Sequence, residues 1–292
     1  MDAKPPIKAP ATHDGERLKI YFLPNLFTAG NLFCGFVALT QIVEANLTPD
    51  PLNNDTVNWM PIKIALAFIL LACIFDLFDG RVARMGGHES PFGREFDSLA
   101  DLISFGAAPA FLVHRVVLHD VFRDEYAELG WFIASIYLIC GAFRLARFNC
   151  LAAMNLPGAG KDFLGFPIPS AAGLVASLTL FIIKENEKVK DLGHWGYLLP
   201  VVLIFLSAMM VSEVKYPSFK SFGLRSTATF SKVIVGALFV GSLLILREKI
   251  LYYVLPLFFT AYLLYGFIRP WLSRAWRREI EEDDDEDLEA GH

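Results

Sequence analysis

The chain alternates long apolar runs with short polar links. Eight runs approach the length at which a helix crosses the hydrocarbon core of a bilayer, about 20 residues: 21–43, 61–78, 96–118, 131–148, 168–183, 196–212, 233–246 and 250–268. Backbone N–H and C=O groups cannot be left unpaired in lipid, so runs of this kind are read as helices. The pattern predicts an all-α integral membrane protein with about eight transmembrane helices. The fifth and seventh runs are short and draw on their flanks. Residues 1–20 are polar and proline-rich, with no cleavage pattern, and read as a cytoplasmic N-terminal segment. Residues 269–292 begin basic, with Trp271 and Trp276 suited to an interfacial anchor, and turn strongly acidic from Glu279 to Glu289. That stretch reads as a solvated, disordered cytoplasmic tail, leaving one membrane domain over 21–268.

Composition agrees: 54% of the 292 residues are hydrophobic and the mean hydropathy is +0.44. The formal net charge of −5 owes much to the acidic tail and says little about the membrane domain, and no nucleic-acid partner is expected. With the N-terminus placed inside, most of the 26 basic residues fall on cytoplasmic segments, as the positive-inside rule requires. The polar link between the second and third runs then faces the cytoplasm, as do both termini, in a cytoplasmic (inner) membrane. Cys34, Cys73, Cys140 and Cys150 lie in apolar segments, match no metal or disulfide spacing, and read as packing residues.

Candidate chemistry is concentrated in that link. The second run ends in Asp76 and Asp79, three apart and so on one helix face; Asp97 and Asp101, four apart, open the third. Gly80, Gly86, Gly87, Pro91 and Gly93 are expected to break the chain between them, so that two helices meet through a loop and offer two carboxylates each to one cleft. Carboxylates beside hydrocarbon are costly and rarely idle. Four that converge must share divalent cations or lose their charge, and oxygen ligands suit Mg²⁺ or Mn²⁺. Two such ions can clamp a phosphoryl group during displacement. Gly80 and Ala83 keep space open for a close approach, Arg84 can fork onto phosphate oxygens, and Ser90 can donate a hydroxyl. His88 reads as a polar loop residue.

The run Asp76-Leu-Phe-Asp79-Gly80-Arg-Val-Ala83-Arg84, then Gly93, Asp97 and Asp101, resembles the signature of the CDP-alcohol phosphatidyltransferase family. The resemblance implies metal-ligand roles for Asp76, Asp79 and Asp97, and metal and general-base roles for Asp101. It also implies CDP-lipid contacts from Gly80, Ala83, Arg84, Ser90 and Gly93. Segments outside the signature resemble the branch that uses serine: Pro24-Asn25-Leu-Phe-Thr28, Gly30-Asn31-Leu-Phe-Cys34-Gly35, Ser104-Phe-Gly106, Arg144-Leu-Ala-Arg147-Phe-Asn149, Gly165-Phe-Pro167 and Ser212 to Lys220. Pro24 can start a helix that turns Asn25 and Thr28 toward the nucleotide. Arg144 and Arg147, three apart, could hold a lipid phosphate, the diphosphate or a serine carboxylate, or snorkel to headgroups. Lys215 and Lys220 read as surface charges or a rim for anionic lipid. The implied reaction joins L-serine to the phosphatidyl group of CDP-diacylglycerol and releases CMP, among membrane lipids and in a homodimer. Glycerol 3-phosphate, inositol or its phosphate, and choline stay open as acceptors. An aspartate-rich prenyltransferase and a divalent-cation transporter are the rival readings.

Overall fold

A computed structural model of the chain describes residues 22–48, 57–86, 90–118, 121–122, 127–154, 162–185, 196–217 and 250–268. Its elements are helices α1 (Phe22–Glu44), α2 (Met60–Gly86), α3 (Pro91–Leu118), α4 (Ala127–Ala153), α5 (Ile168–Glu185), α6 (Leu198–Val211) and α7 (Ile250–Ile268). Two three-residue strands, β1 (Asp162–Leu164) and β2 (Lys215–Pro217), pair antiparallel with Phe163 opposite Tyr216. Each described helix coincides with one of the expected runs. Among the described residues five helices, α1 to α5, are long and apolar enough to cross a membrane; α6 and the Tyr252–Ile268 segment of α7 are apolar but shorter. The fifth run thus reaches span length through Lys184 and Glu185, while the helix of the sixth is short. The expected run 233–246, the N-terminal segment, the tail, His88 and Lys220 lie outside the described residues.

One expectation is corrected. Gly80 does not break α2, which continues through it to Gly86, and Gly93 lies inside the first turn of α3. Glycine lowers helix propensity by only about 1 kcal/mol, which tertiary packing overrides here. The start of α3 is set instead by Ser90, extended at φ −127° and ψ 150°, whose Oγ accepts the Gly93 N–H at 3.0 Å, with Pro91 in the first turn. A serine cap followed by proline fits the open N–H groups of a helix start.

After Asp101, α3 widens. Residues Leu102–Ala107 wind as a π-helical turn, with the Ala108 N–H bonded to the Ile103 carbonyl. In an α-helical register Phe105 would accept from residue 109, but Pro109 has no N–H. Tyr137 of α4 supplies the missing donor, its hydroxyl lying 3.1 Å from the Phe105 carbonyl oxygen. Proline thus loosens the winding behind Asp101, and a fully buried tyrosine closes it.

Helix α1 packs along α2 and also along α3; α4 lies against α3 and α6, and α5 against α2 and α7. Close approach depends on small residues, a common device between membrane helices: Ala38, Ala65, Ala72, Ala108, Ala171, Ala172 and Ala176 are all buried. Gly35 is the tightest such point on α1, since a Cβ there would stand 2.8 Å from Ser104 Cα. Large side chains point outward, among them Phe33, Phe36 and Val43 on α1 and Leu257, Phe258 and Phe267 on α7. Apolar faces of this extent suit lipid or another protein surface better than water.

Replacing Gly35 with alanine should push α1 from α3 and destabilise the protein by about 1–3 kcal/mol. Thermal unfolding of the detergent-solubilised variant, against the parent in the same detergent, measures the loss.

Candidate active site

Helices α1, α2 and α3 converge where their polar residues meet. Asp76 of α2 and Asp97 and Asp101 of α3 each turn a carboxylate oxygen to one place, the three lying within 4.8 Å of one another. Asp101 is buried, and Asp97 Oδ1 is buried with no hydrogen-bond partner. An orphaned carboxylate oxygen beside two further acids is a donor set for a hard divalent cation. The residues therefore fit the metal expected from the sequence. Carboxylates without a cation at such separations repel strongly in a medium less polar than water.

Asp79, the fourth acid, turns to α1. It is buried and accepts a short hydrogen bond from the Thr28 hydroxyl. It stays within electrostatic reach of Asp97, so it borders the cluster without belonging to the triad. Asn31 of α1 donates Nδ2–H to Asp101 Oδ1 at 3.0 Å. Asn25, Thr28 and Asn31 recur every three residues and form one polar stripe on the first half of a largely apolar helix. Asn25 lies beside the α3 start: its Oδ1 is 3.4 Å from where a Cβ on Gly93 would stand, and its buried Nδ2 has no partner. Asn25, Ser90 and Gly93 are thus brought together. Ser90 Oγ accepts from Gly93 as a cap, and its own O–H remains a donor. Gly80, Ala83 and Arg84 occupy the last turns of α2; their side chains lie outside the described residues.

The two arginines of α4 part company. Arg144 is 7% exposed, lies within electrostatic reach of Asp101 and Asp76, and has a buried Nε with no hydrogen-bond partner. A guanidinium in that state, behind a cluster of acids, is poised for an anion. Arg147 is engaged by backbone. Its Nη1 donates to the Val211 carbonyl at 2.8 Å, and its Nη2 contacts those of Leu164, Ser212 and Met210 at 3.0, 3.1 and 3.3 Å. The end of α6 leaves carbonyls without helical partners, and Arg147 takes up those of Met210 and Val211. The Phe166 N–H and the Ser212 hydroxyl take up that of Met209 at 3.0 and 2.7 Å. Gly165 makes the knot possible: its φ is +78°, and a Cβ there would stand 2.9 Å from Arg147 Nη2. The structure does not bring Arg147 to the aspartates. Asn31, which the sequence reading did not single out, is brought there; its period-three placement after Asn25 and Thr28 was the available signal.

Comparison with known proteins gives a consistent result. The family model for CDP-alcohol phosphatidyltransferase matches residues 21–216. The chain is 32% identical over 253 residues to the CDP-diacylglycerol–serine O-phosphatidyltransferase of Helicobacter pylori, covering 87% of this chain and 92% of that one. It is 33% identical to the protein of the same name in Bacillus subtilis, over 68% of this chain and 92% of the relative. It is 31% identical to the archaetidylserine synthase of Methanothermobacter thermautotrophicus, over 70% of this chain and 73% of the relative.

Two substitutions separate the arginines. Arg147→Met should lower stability by about 1–3 kcal/mol by stripping donors from the α6 end, seen as a lower melting temperature. Arg144→Met should leave melting close to the parent and weaken binding of an anionic substrate, seen as a raised KM. Asp97→Asn should abolish turnover and weaken Mn²⁺ binding, followed by the paramagnetic resonance of free Mn²⁺.

Proposed function

The chain belongs to the CDP-alcohol phosphatidyltransferase family, and from that premise we propose that it transfers the phosphatidyl group of CDP-diacylglycerol to the hydroxyl of L-serine, giving phosphatidylserine and CMP. The observation that carries the reading is the triad of carboxylates within 4.8 Å, built from the aspartates of the family signature. Serine as acceptor is supported by the names of the relatives. Two name serine with CDP-diacylglycerol, and the third is named for the synthesis of archaetidylserine.

In this reading Asp76, Asp97 and Asp101, with Asp79 beside them, hold Mg²⁺ or Mn²⁺, two ions in all. When bound, the metal supplies positive charge against the diphosphate oxygens and the departing CMP. The chain's own groups do the rest. Asn25 Nδ2, the Ser90 hydroxyl, Gly80, Ala83, Gly93 and Arg84 form the nucleotide end of the donor site. Thr28 holds Asp79 in orientation. Asp101 accepts the proton of the serine hydroxyl as its oxygen bonds to phosphorus and the P–O bond to CMP breaks. A carboxylate removes such a proton effectively only if the transfer accompanies P–O bond formation. Arg144 receives an anionic group, the serine carboxylate or a phosphate oxygen. Lipid tails enter sideways between helices. The distribution of basic residues supports an active site and both termini on the cytoplasmic side of the inner membrane, and the family resemblance supports a homodimer.

Purified protein supplied with CDP-diacylglycerol should release CMP only when L-serine is added. A chelator should abolish release, and Mn²⁺ or Mg²⁺ should restore it. Release driven by glycerol 3-phosphate or inositol but not serine would overturn the choice of acceptor. Asp101→Asn should lower kcat by roughly 10²- to 10⁴-fold while CDP-diacylglycerol still binds; equal losses of affinity and rate would remove its role as base.

A further inference from the structure

Asn31 is fully buried in the middle of α1. Its backbone carbonyl accepts the Ser104 hydroxyl at 2.9 Å, three residues beyond Asp101. The close approach at Gly35 holds the same two helices together. The amide is therefore fixed to the helix that carries Asp101. Its two polar atoms fare differently: Nδ2 donates to Asp101 Oδ1 at 3.0 Å, whereas Oδ1 is buried with no partner. Buried polar atoms are paired in the great majority of cases, and each exception calls for an explanation. The Nδ2 bond keeps the amide from turning its oxygen elsewhere. Because the amide is planar and short, that oxygen stands one amide width from the contact with Asp101. A donor that satisfied it would sit beside Asp101.

We infer that Asn31 positions Asp101 through its N–H and, through Oδ1, recognises the amino group of an acceptor that carries it on the carbon next to the hydroxyl-bearing carbon, a 2-amino alcohol. The inference rests on the serine reading and adds the atom that reads the amino group. An ammonium offers only donors and an amide oxygen only accepts, so the pair is complementary, and the charge strengthens the bond. A 2-amino alcohol holds its nitrogen and oxygen two carbons apart. An amide that gives its N–H to the base and its C=O to the neighbouring space presents a matching pair of contacts. Asn31 gives up no proton in the transfer. The serine proton passes to Asp101, the serine oxygen bonds to phosphorus, and CMP leaves. Arg144 remains available for the carboxylate of the same acceptor.

The test uses the full-length protein in lipid–detergent micelles. Asn31→Leu keeps similar bulk and removes both polar atoms; Asn31→Asp keeps acceptors and removes the N–H. In Asn31→Leu, kcat for serine-dependent CMP release should fall roughly 100-fold and the KM for serine should rise roughly tenfold. CDP-diacylglycerol binding without serine should stay at the parent value. The inhibition constant of 3-hydroxypropionate, which is serine without its amino group, should also stay there. Asn31→Asp should lose kcat while keeping more of the serine affinity. Unchanged serine kinetics in Asn31→Leu would overturn the inference. So would equal shifts for serine and 3-hydroxypropionate, or a loss of CDP-diacylglycerol binding as large as the loss of turnover. If Asn31→Leu fails to fold, the split between kcat and KM in Asn31→Asp decides. A parent enzyme that releases CMP with another alcohol and not with serine would remove the serine reading instead. The effect of Asn31 on kcat with that alcohol would then decide its positioning role.

Discussion

Like-charge repulsion is the constraint around which the bundle is arranged. Two unit charges 4 Å apart at the screening typical near a protein surface repel by about 4 kcal/mol, and Asp76, Asp97 and Asp101 bring three such groups to one point. Every neighbouring element bears on that problem. From α1, Thr28 ties down Asp79 and Asn31 ties down Asp101. From α4, Arg144 sets a positive charge behind the cluster. What these groups leave unanswered, including the orphaned Asp97 oxygen, is the demand a divalent cation meets. The same excess of negative charge is what would hold a metal against the diphosphate in the proposed reaction, so the electrostatic cost of the site and its proposed chemistry have one source.

The helices were legible because lipid-facing runs carry their own length standard. The runs of α1, α5, α6 and α7 were found within two residues at each end, whereas α2 continues eight residues past its expected end. The four acids were legible as well, since ionisable residues stand out against apolar sequence. Local breaking signals misled: Gly80 and Gly93 were read as interruptions, yet both lie within helices, because packing between α1, α2 and α3 outweighs a small propensity penalty. Arg144 and Arg147 look equivalent on paper, three residues apart on the same helix. Only the return of α6 and the turn at Gly165 gives Arg147 to backbone carbonyls and leaves Arg144 beside the acids. Asn31 lay in plain view on the polar stripe of α1, but its bond to Asp101 spans 70 residues, a distance that spacing rules do not reach.

Helix α3 shows how one chain segment serves both charge and packing. Its start, fixed by Ser90 and Pro91, sets the rotation that aims Asp97 and Asp101 at α2. Immediately after Asp101 the winding widens and Pro109 removes a donor, and the hydroxyl of Tyr137 on α4 makes good the loss. Widened turns of this type recur at functional sites. Asp101 and Ser104, three residues apart across the start of this turn, both reach α1. The aspartate and its supporting serine can then both bond to Asn31, one through the side chain and one through the backbone.

The knot around Arg147 bears on the order in which the protein can be assembled. Its last acceptor, the Ser212 carbonyl, lies 65 residues downstream, so on a growing chain the cation is made well before the helix end that will neutralise its demand for oxygen. Until α6 arrives, Arg147 must rest among headgroups or water at the membrane edge. Docking of α6 then withdraws it and fixes α4 in place. Completion of the first half is thereby coupled to biogenesis of the second: the helix that carries Arg144 is locked only by a segment that emerges after both arginines.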